Sequence, residues 1–230
     1  MRRTELSWVA IAAVTIIIGG CSKTPPEERL ARGVGVGTGG AAANANSDGE
    51  FLYDVAIMNM AVTELSNMAL SNATSPDMKA FAQRVLDDQA EAEKKLKSIV
   101  SAHSMDWPAQ IDDKHREAAD ELAKKQGDDF DRDYAEAMIE RHQDLAARLE
   151  SRLDLQSVAD WKTAAGGRTQ SQALPEPKVE MRDVQPRPIM SADELTMKIN
   201  QWAAETYPIA QKHLDTARTL KNATKNRSTN

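Results

Sequence analysis

Glu64, Asp88, Gln89, His142 and His213 are polar residues at positions where an apolar helical stripe should continue. Glu64 lies between Ala61 and Met68, and Asp88 and Gln89 lie between Val85 and Ala92. His142 lies between Met138 and Leu145, and His213 follows Ile209. Carboxylates and imidazoles gathered inside a helical bundle offer two chemistries. Glu64, Asp88, His142 and His213 could ligate a transition metal such as zinc or iron. They could equally satisfy one another, a carboxylate accepting from an imidazole and setting its tautomer and charge. Carboxylate-bridged dimetal bundles carry Glu-x-x-His on two helices. Here the residues three positions before the histidines are Ile139 and Ala210, which cannot be ligands and favour the self-satisfied network.

Other candidates carry less. Asp112 and His115 have ligand spacing but sit in a polar segment, where solvation is expected. His103 stands at a predicted helix end, where an imidazole interacts with the helix dipole. Met58 and Met60 are soft ligands in type, but residues two apart face different sides of a helix, so core packing is expected. No nucleophile elbow, phosphate loop or zinc-protease motif is present, so no enzyme is expected.

Cys21 points to a different chemistry. Arg2 and Arg3 precede a nearly unbroken apolar run from Trp8 to Ile18. That run is about half the length a membrane-spanning helix needs. Ile18-Gly19-Gly20-Cys21 fits a bacterial lipobox, and Cys21 is the only cysteine in the chain. The expectation is a signal peptide over 1–20, cleaved to leave a diacylated cysteine, with palmitate-type chains anchoring the protein to a membrane. Ser22 rather than aspartate follows the cysteine, which points to the periplasmic face of a Gram-negative outer membrane. Residues 21–47, including GVGVGTGGAAANANSDG, bury too little apolar surface to fold and read as a flexible tether.

The elements that must position the polar residues follow from helical periodicity. Ser47 and Glu50 can form a capping box opening helix A, which carries Leu52, Val55, Val62, Leu65 and Ala69 to about Ser71. Ser75-Pro76-Asp77 starts helix B, with Phe81, Val85, Leu96 and Ile99 on one stripe to about His103. A short polar helix is expected over 112–125 and ends at Gly127. Helix C then places Phe130, Tyr134, Met138, Leu145, Leu149 and Leu153 on one face. Residues 162–190, with Gly166, Gly167 and four prolines, read as an irregular, disordered insertion. Ser191 and Glu194 suggest a second capping box before helix D, which turns Leu195, Ile199, Trp202, Ile209 and Leu220 inward and should kink at Pro208. The predicted fold is all-α: an up-down-up-down four-helix bundle over 48–222 with a short extra helix and a polar tail over 223–230.

Composition agrees. The chain has 29 Lys and Arg against 35 Asp and Glu, a net charge of −6, and only 4% aromatic residues. An acidic surface argues against nucleic acid as a partner.

Several segments together carry a family resemblance. They are MAVTELSNMAL around Glu64, FAQRVLDDQAEAEKKL, the Phe130, Asp131 and Tyr134 motif followed by His142, and YPIAQKHLDTA. Over about residues 48–220 the chain resembles bacterial domain-of-unknown-function family forty-one forty-two. The resemblance implies a ferritin-like four-helix bundle, exported from the cytoplasm, with no established activity. It also implies a carboxylate at 64, an Asp-His pair on helix B and histidines at 142 and 213. Gln89 stands where that pattern has the helix B histidine. The expectation is a non-enzymatic envelope lipoprotein with a structural, stress-related or interaction role. Alternatives are a ferritin-like metal binder, and a periplasmic adaptor that docks an envelope partner through its Pro-rich insertion.

Overall fold

The computed structural model describes the backbone of residues 40–170 and 184–227, and the side chains of 48–165 and 184–226. The signal peptide, Cys21 and most of the tether lie outside the described residues, as do 171–183 of the insertion. The described chain is helical: α1 (Gly40–Asn72), α2 (Pro76–Ala102), α3 (Asp113–Ala123), α4 (Gly127–Glu150), α5 (Leu155–Gln170) and α6 (Glu194–Arg227). No strand forms among the described residues, and Leu153 and Pro188 make an isolated antiparallel bridge. No described helix is long and apolar enough to cross a membrane.

The four long helices form the expected bundle, and named contacts fix how it is wound. The Asp131 carboxylate near the start of α4 reaches Thr74 and Ser75 at the α1–α2 joint. At the other end of α4, Arg148 pairs with Asp54, and Arg152 just beyond pairs with Asp48. Thr196 at the start of α6 donates to the same Asp48. Lys221 near its end pairs with Glu136. Taking α1 as up, α2 and α4 run down and α6 runs up. Each helix packs on antiparallel neighbours, in the order α1, α2, α6, α4 around the bundle. The winding therefore differs from simple up-down-up-down. α3 is a return crossover on α1 and α4, so α2 and α4 lie parallel across the diagonal, as in bundles with one long connection.

Local chemistry explains most boundaries. Ser75 caps α2, its hydroxyl accepting from the Met78 amide. Asp112 caps α3 in the same way. Gly127 opens α4 at φ 64°, a left-handed conformation that favours glycine. His103 is the C-cap of α2, and its Nδ1–H donates to the Ile99 carbonyl at 2.8 Å.

Four expectations need correction. α1 starts at Gly40, so Ser47 and Glu50 lie inside the helix and not at its start. The Ala-rich stretch before Ser47 has high helix propensity and extends the helix into the expected tether. α5 runs through 162–170, the first part of the stretch read as a disordered insertion. Val158 in the core and Trp161, edge-on to Tyr207 at 5.5 Å, anchor it. The cap of α6 is Asp193, which accepts from the Thr196 amide, and not Ser191. Ile209 is exposed. The inward face of α6 is instead Ile199, Trp202, Ala203, Tyr207, Ala210, Leu214 and Ala217.

Two apolar clusters make up the core. One contains Phe51, Leu96, Leu149, Trp202 and Tyr207. The other contains Val62, Phe81, Phe130, Tyr134 and Met138.

Candidate functional site

A polar layer separates the two apolar clusters. On α4, His142 lies between Met138 of one cluster and Leu145 of the other. On α6, His213 lies between Ala210 and Ala217, and on α2, Asp88 and Gln89 lie between Val85 and Ala92. The 3.6-residue period carries Gln89, His142 and His213 inward at one level of the bundle, with Asp88 at its edge.

Within this layer a hydrogen-bonded chain crosses three helices. The His142 Nδ1–H donates to the Met138 carbonyl at 2.8 Å, an acceptor-only group one turn back on the same helix. His142 Nε2 faces His213 Nδ1 at 3.2 Å. His213 Nε2 lies 2.9 Å from Asp88 Oδ2. The two rings are perpendicular, with centroids 5.1 Å apart. Phe81 covers His213 edge-on at 6.1 Å.

Burial dominates the electrostatics. His142 is 0% exposed. Loss of solvation, reinforced by the adjacent His213, pulls its pKa from 6.5 to about 3, with the Met138 carbonyl acting in the opposite sense. Burial also lowers His213, helped by Lys212 and Arg84 and opposed by the Asp88 carboxylate. The Asp88 side chain is 37% exposed and carries the network toward solvent. Around these groups is a cavity of about 10 Å³ lined by Asp88, Gln89, His142, Thr206 and His213, among others. That is room for a single water-sized species.

Asp88, Gln89, His142 and His213 therefore come together. Glu64 does not: it is exposed. α1 packs on α2, α3 and α4, so apolar residues spread around much of its circumference. Its inner face is Val62, Leu65 and Ala69, and Ser66 is buried where it shares a hydrogen bond with the Tyr134 hydroxyl. Asn59 is the buried polar side chain that α1 supplies between Val55 and Val62, and α4 adds Arg141. Neither was singled out in the sequence. The signal was available in Asn59, which precedes Val62 by one helical turn on the Val55 stripe.

The motif residues Phe130, Asp131 and Tyr134 hold the fold. Phe130 and Tyr134 stack at 6.1 Å, and burial pushes the Tyr134 hydroxyl pKa up. Asp131 is fully buried and accepts from Thr74 N at 3.0 Å, Thr74 Oγ1 at 2.8 Å and Ser75 N at 2.9 Å. Elsewhere His115 Nδ1 pairs with Asp112 at 2.6 Å, a local helix-start contact. Met58 packs against the core.

A ferritin-like dimetal centre requires bridging carboxylates on facing helices, and these residues do not fit one. Glu64 points away, and Asp88, the carboxylate in the network, is bonded to a histidine. No group of three or more His, Cys, Asp or Glu side chains suited to a metal forms among the described residues.

No curated protein and no solved structure matches the chain. A family model described as a domain of unknown function, DUF4142, matches residues 36–171, more than half of the chain, taking in Asp88 and His142 and ending before α6. With its bundle and its Phe130, Asp131 and Tyr134 corner, the chain belongs to the DUF4142 family.

Proposed function

We propose that this protein is a non-enzymatic envelope lipoprotein: a helical bundle held at a membrane by acyl chains on Cys21, with a structural, stress-related or interaction role. Cys21 carries the reading. It is the sole cysteine, and it follows a basic start, an apolar run and two glycines. Two or more acyl chains hold a protein stably, at about 0.8 kcal/mol per buried methylene. The bundle supports the non-enzymatic part. Its buried imidazoles bond to each other, to a backbone carbonyl and to Asp88, beside a cavity of about 10 Å³ that admits no organic substrate. The test is metabolic labelling with an alkyne palmitate, followed by membrane fractionation of the full chain. Wild type should take the label and sediment with outer-membrane markers. Cys21→Ser should lose the label and appear in the soluble fraction. An unlabelled wild type, or a labelled Cys21→Ser, would overturn the reading.

A further inference from the structure

One end of the bundle gathers apolar side chains on its outside. Asp48, near the start of α1, binds Arg152 just beyond α4 and Thr196 at the start of α6. Residues 152–154 then pair with 187–189. The Asp154 amide donates to the Arg187 carbonyl at 2.8 Å, and the Ile189 amide donates to the Arg152 carbonyl at 2.9 Å. Buried Asn200 ties the same loop to α6, its Nδ2 donating to the Ile189 carbonyl at 2.7 Å. This ladder keeps Leu155, Ile189 and Met190 at the end of the bundle that holds Asp48. Among the described residues, Met190 and Leu155 are the two most exposed large apolar side chains, at 79% and 71%, and Ile189 is 45% exposed. A cleft of about 410 Å³ opens beside Ile189 and Met190, with Phe51 in its wall. Exposed apolar side chains grouped in this way mark an interaction surface.

We propose that this end of the bundle docks on the phospholipid surface of the membrane that holds Cys21, with Leu155, Ile189 and Met190 entering the interface. The inference rests on the reading of Cys21 as the lipid anchor. Where the chain leads favours lipid as the occupant. α1 begins at this end, and upstream of it the chain runs to Cys21. Gly40 follows Cys21 by 19 residues (40 − 21). A chain of that length spans at most about 65 Å. The lipid surface therefore stays within reach, and a weak contact acts at high effective concentration. Charge sets the kind of contact. The chain is acidic overall, at −6, which opposes adhesion to anionic lipid. At this end Asp48, Asp54 and Asp154 are each paired with an arginine: Arg152, Arg148 and Arg187. Docking is therefore apolar, with the α1–α2 joint at the far end facing away from the lipid.

The test uses the lipidated full chain, purified from membranes and reconstituted into phosphatidylethanolamine–phosphatidylglycerol vesicles, with and without bromine on the acyl chains. Cys21 is the sole cysteine and is blocked once it is a thioether, so an introduced thiol takes a fluorophore selectively. Met190→Cys and Leu155→Cys each carry a polarity-sensitive fluorophore, and Asn72→Cys, at the exposed end of α1, is the control. The probes at 190 and 155 should shift to the blue in vesicles and be quenched by brominated lipid, in high salt as in low. The probe at 72 should be neither shifted nor quenched. Adding Leu155→Asp to the Met190→Cys chain should weaken docking about tenfold or more and remove most of the quenching. Quenching at 190 and 155 no greater than at 72 would overturn the inference, whether residues 171–183 or a second copy covers the patch. Quenching lost in high salt would overturn it in favour of electrostatic adhesion. A lipidated chain that enters vesicles with unquenched probes refutes docking alone. A chain without acyl groups that stays out of the vesicles refutes the reading of Cys21, and docking falls with it.

Discussion

Replacing Asp131 with alanine should destabilise the bundle far more than a surface carboxylate would. The side chain is fully buried and accepts from two backbone amides and one hydroxyl at the α1–α2 joint. Thr74 is exposed and can turn its donors to water, whereas Ser75 is buried. Losing the carboxylate strands the Ser75 amide, at about 1–3 kcal/mol, and removes charge-assisted bonds that contribute about 1.5–3 kcal/mol each before water compensates at Thr74. A negative charge at the N-terminus of α2 adds about 0.3–1 kcal/mol. The expected loss is about 3–4 kcal/mol. Asp131→Asn keeps one acceptor oxygen but turns an amide donor toward donors, and should lose about 2 kcal/mol. The assay is urea unfolding followed by circular dichroism at neutral pH. With a slope of about 2 kcal/mol/M, the alanine midpoint should fall by about 1.5–2 M with the slope unchanged. A midpoint within about 0.3 M of wild type would show that the corner is held by packing alone.

Arg141 is buried with its Nε and Nη1 lacking hydrogen-bond partners, and its ion pair to Glu140 is long at 3.5 Å. Arg141→Met should therefore leave stability unchanged or raise it by about 1–3 kcal/mol; a loss above about 1 kcal/mol in urea unfolding would contradict this. His142 has a folded pKa near 3 against an ordinary 6.5. Its contribution is complete above the unfolded pKa and is lost as pH falls toward the folded one. From pH 6.5 to 4.5 in chelator, wild type should lose about 2 kcal/mol that a folded His142→Phe variant keeps. Equal losses in both would refute the assignment. Gly127 has φ 64° with open space at its Cβ position, so Gly127→Ala should cost about 1 kcal/mol from backbone strain alone. An unchanged melting temperature would mean that the start of α4 relaxes.

Some signals that act within one helical turn were legible in the sequence, although the two capping boxes read at Ser47 and Ser191 do not start their helices. Ser75-Pro76-Asp77 and Asp112 mark helix starts because each cap bonds an amide three residues on. The inward placing of His142 followed from period alone, since α4 carries a clear apolar stripe on either side of it; His213 is buried although Ile209, which the stripe of α6 was read from, is exposed. Properties set by neighbouring elements were not legible. Glu64 and Asn59 exchange roles because α1 is covered from several directions, which blurs the phase of its stripe. α5 runs through Gly166 and Gly167 because Val158 and Trp161 find partners elsewhere in the bundle. Ile209 lost its inward position to Tyr207, whose hydroxyl reaches the Glu150 carboxylate across the α4–α6 interface. The crossover through α3 depends on contacts between segments far apart in the chain.

The polar layer also indexes the helices along their axes. In a seam built only of leucine and alanine, neighbouring helices can slide by one turn, about 5.4 Å, and meet nearly equivalent partners. Here such a slide of α6 would move His213 off Asp88 and His142 and leave a buried imidazole among methyl groups. The layer accepts one axial position of α2, α4 and α6, much as a single buried asparagine fixes the register of a coiled coil.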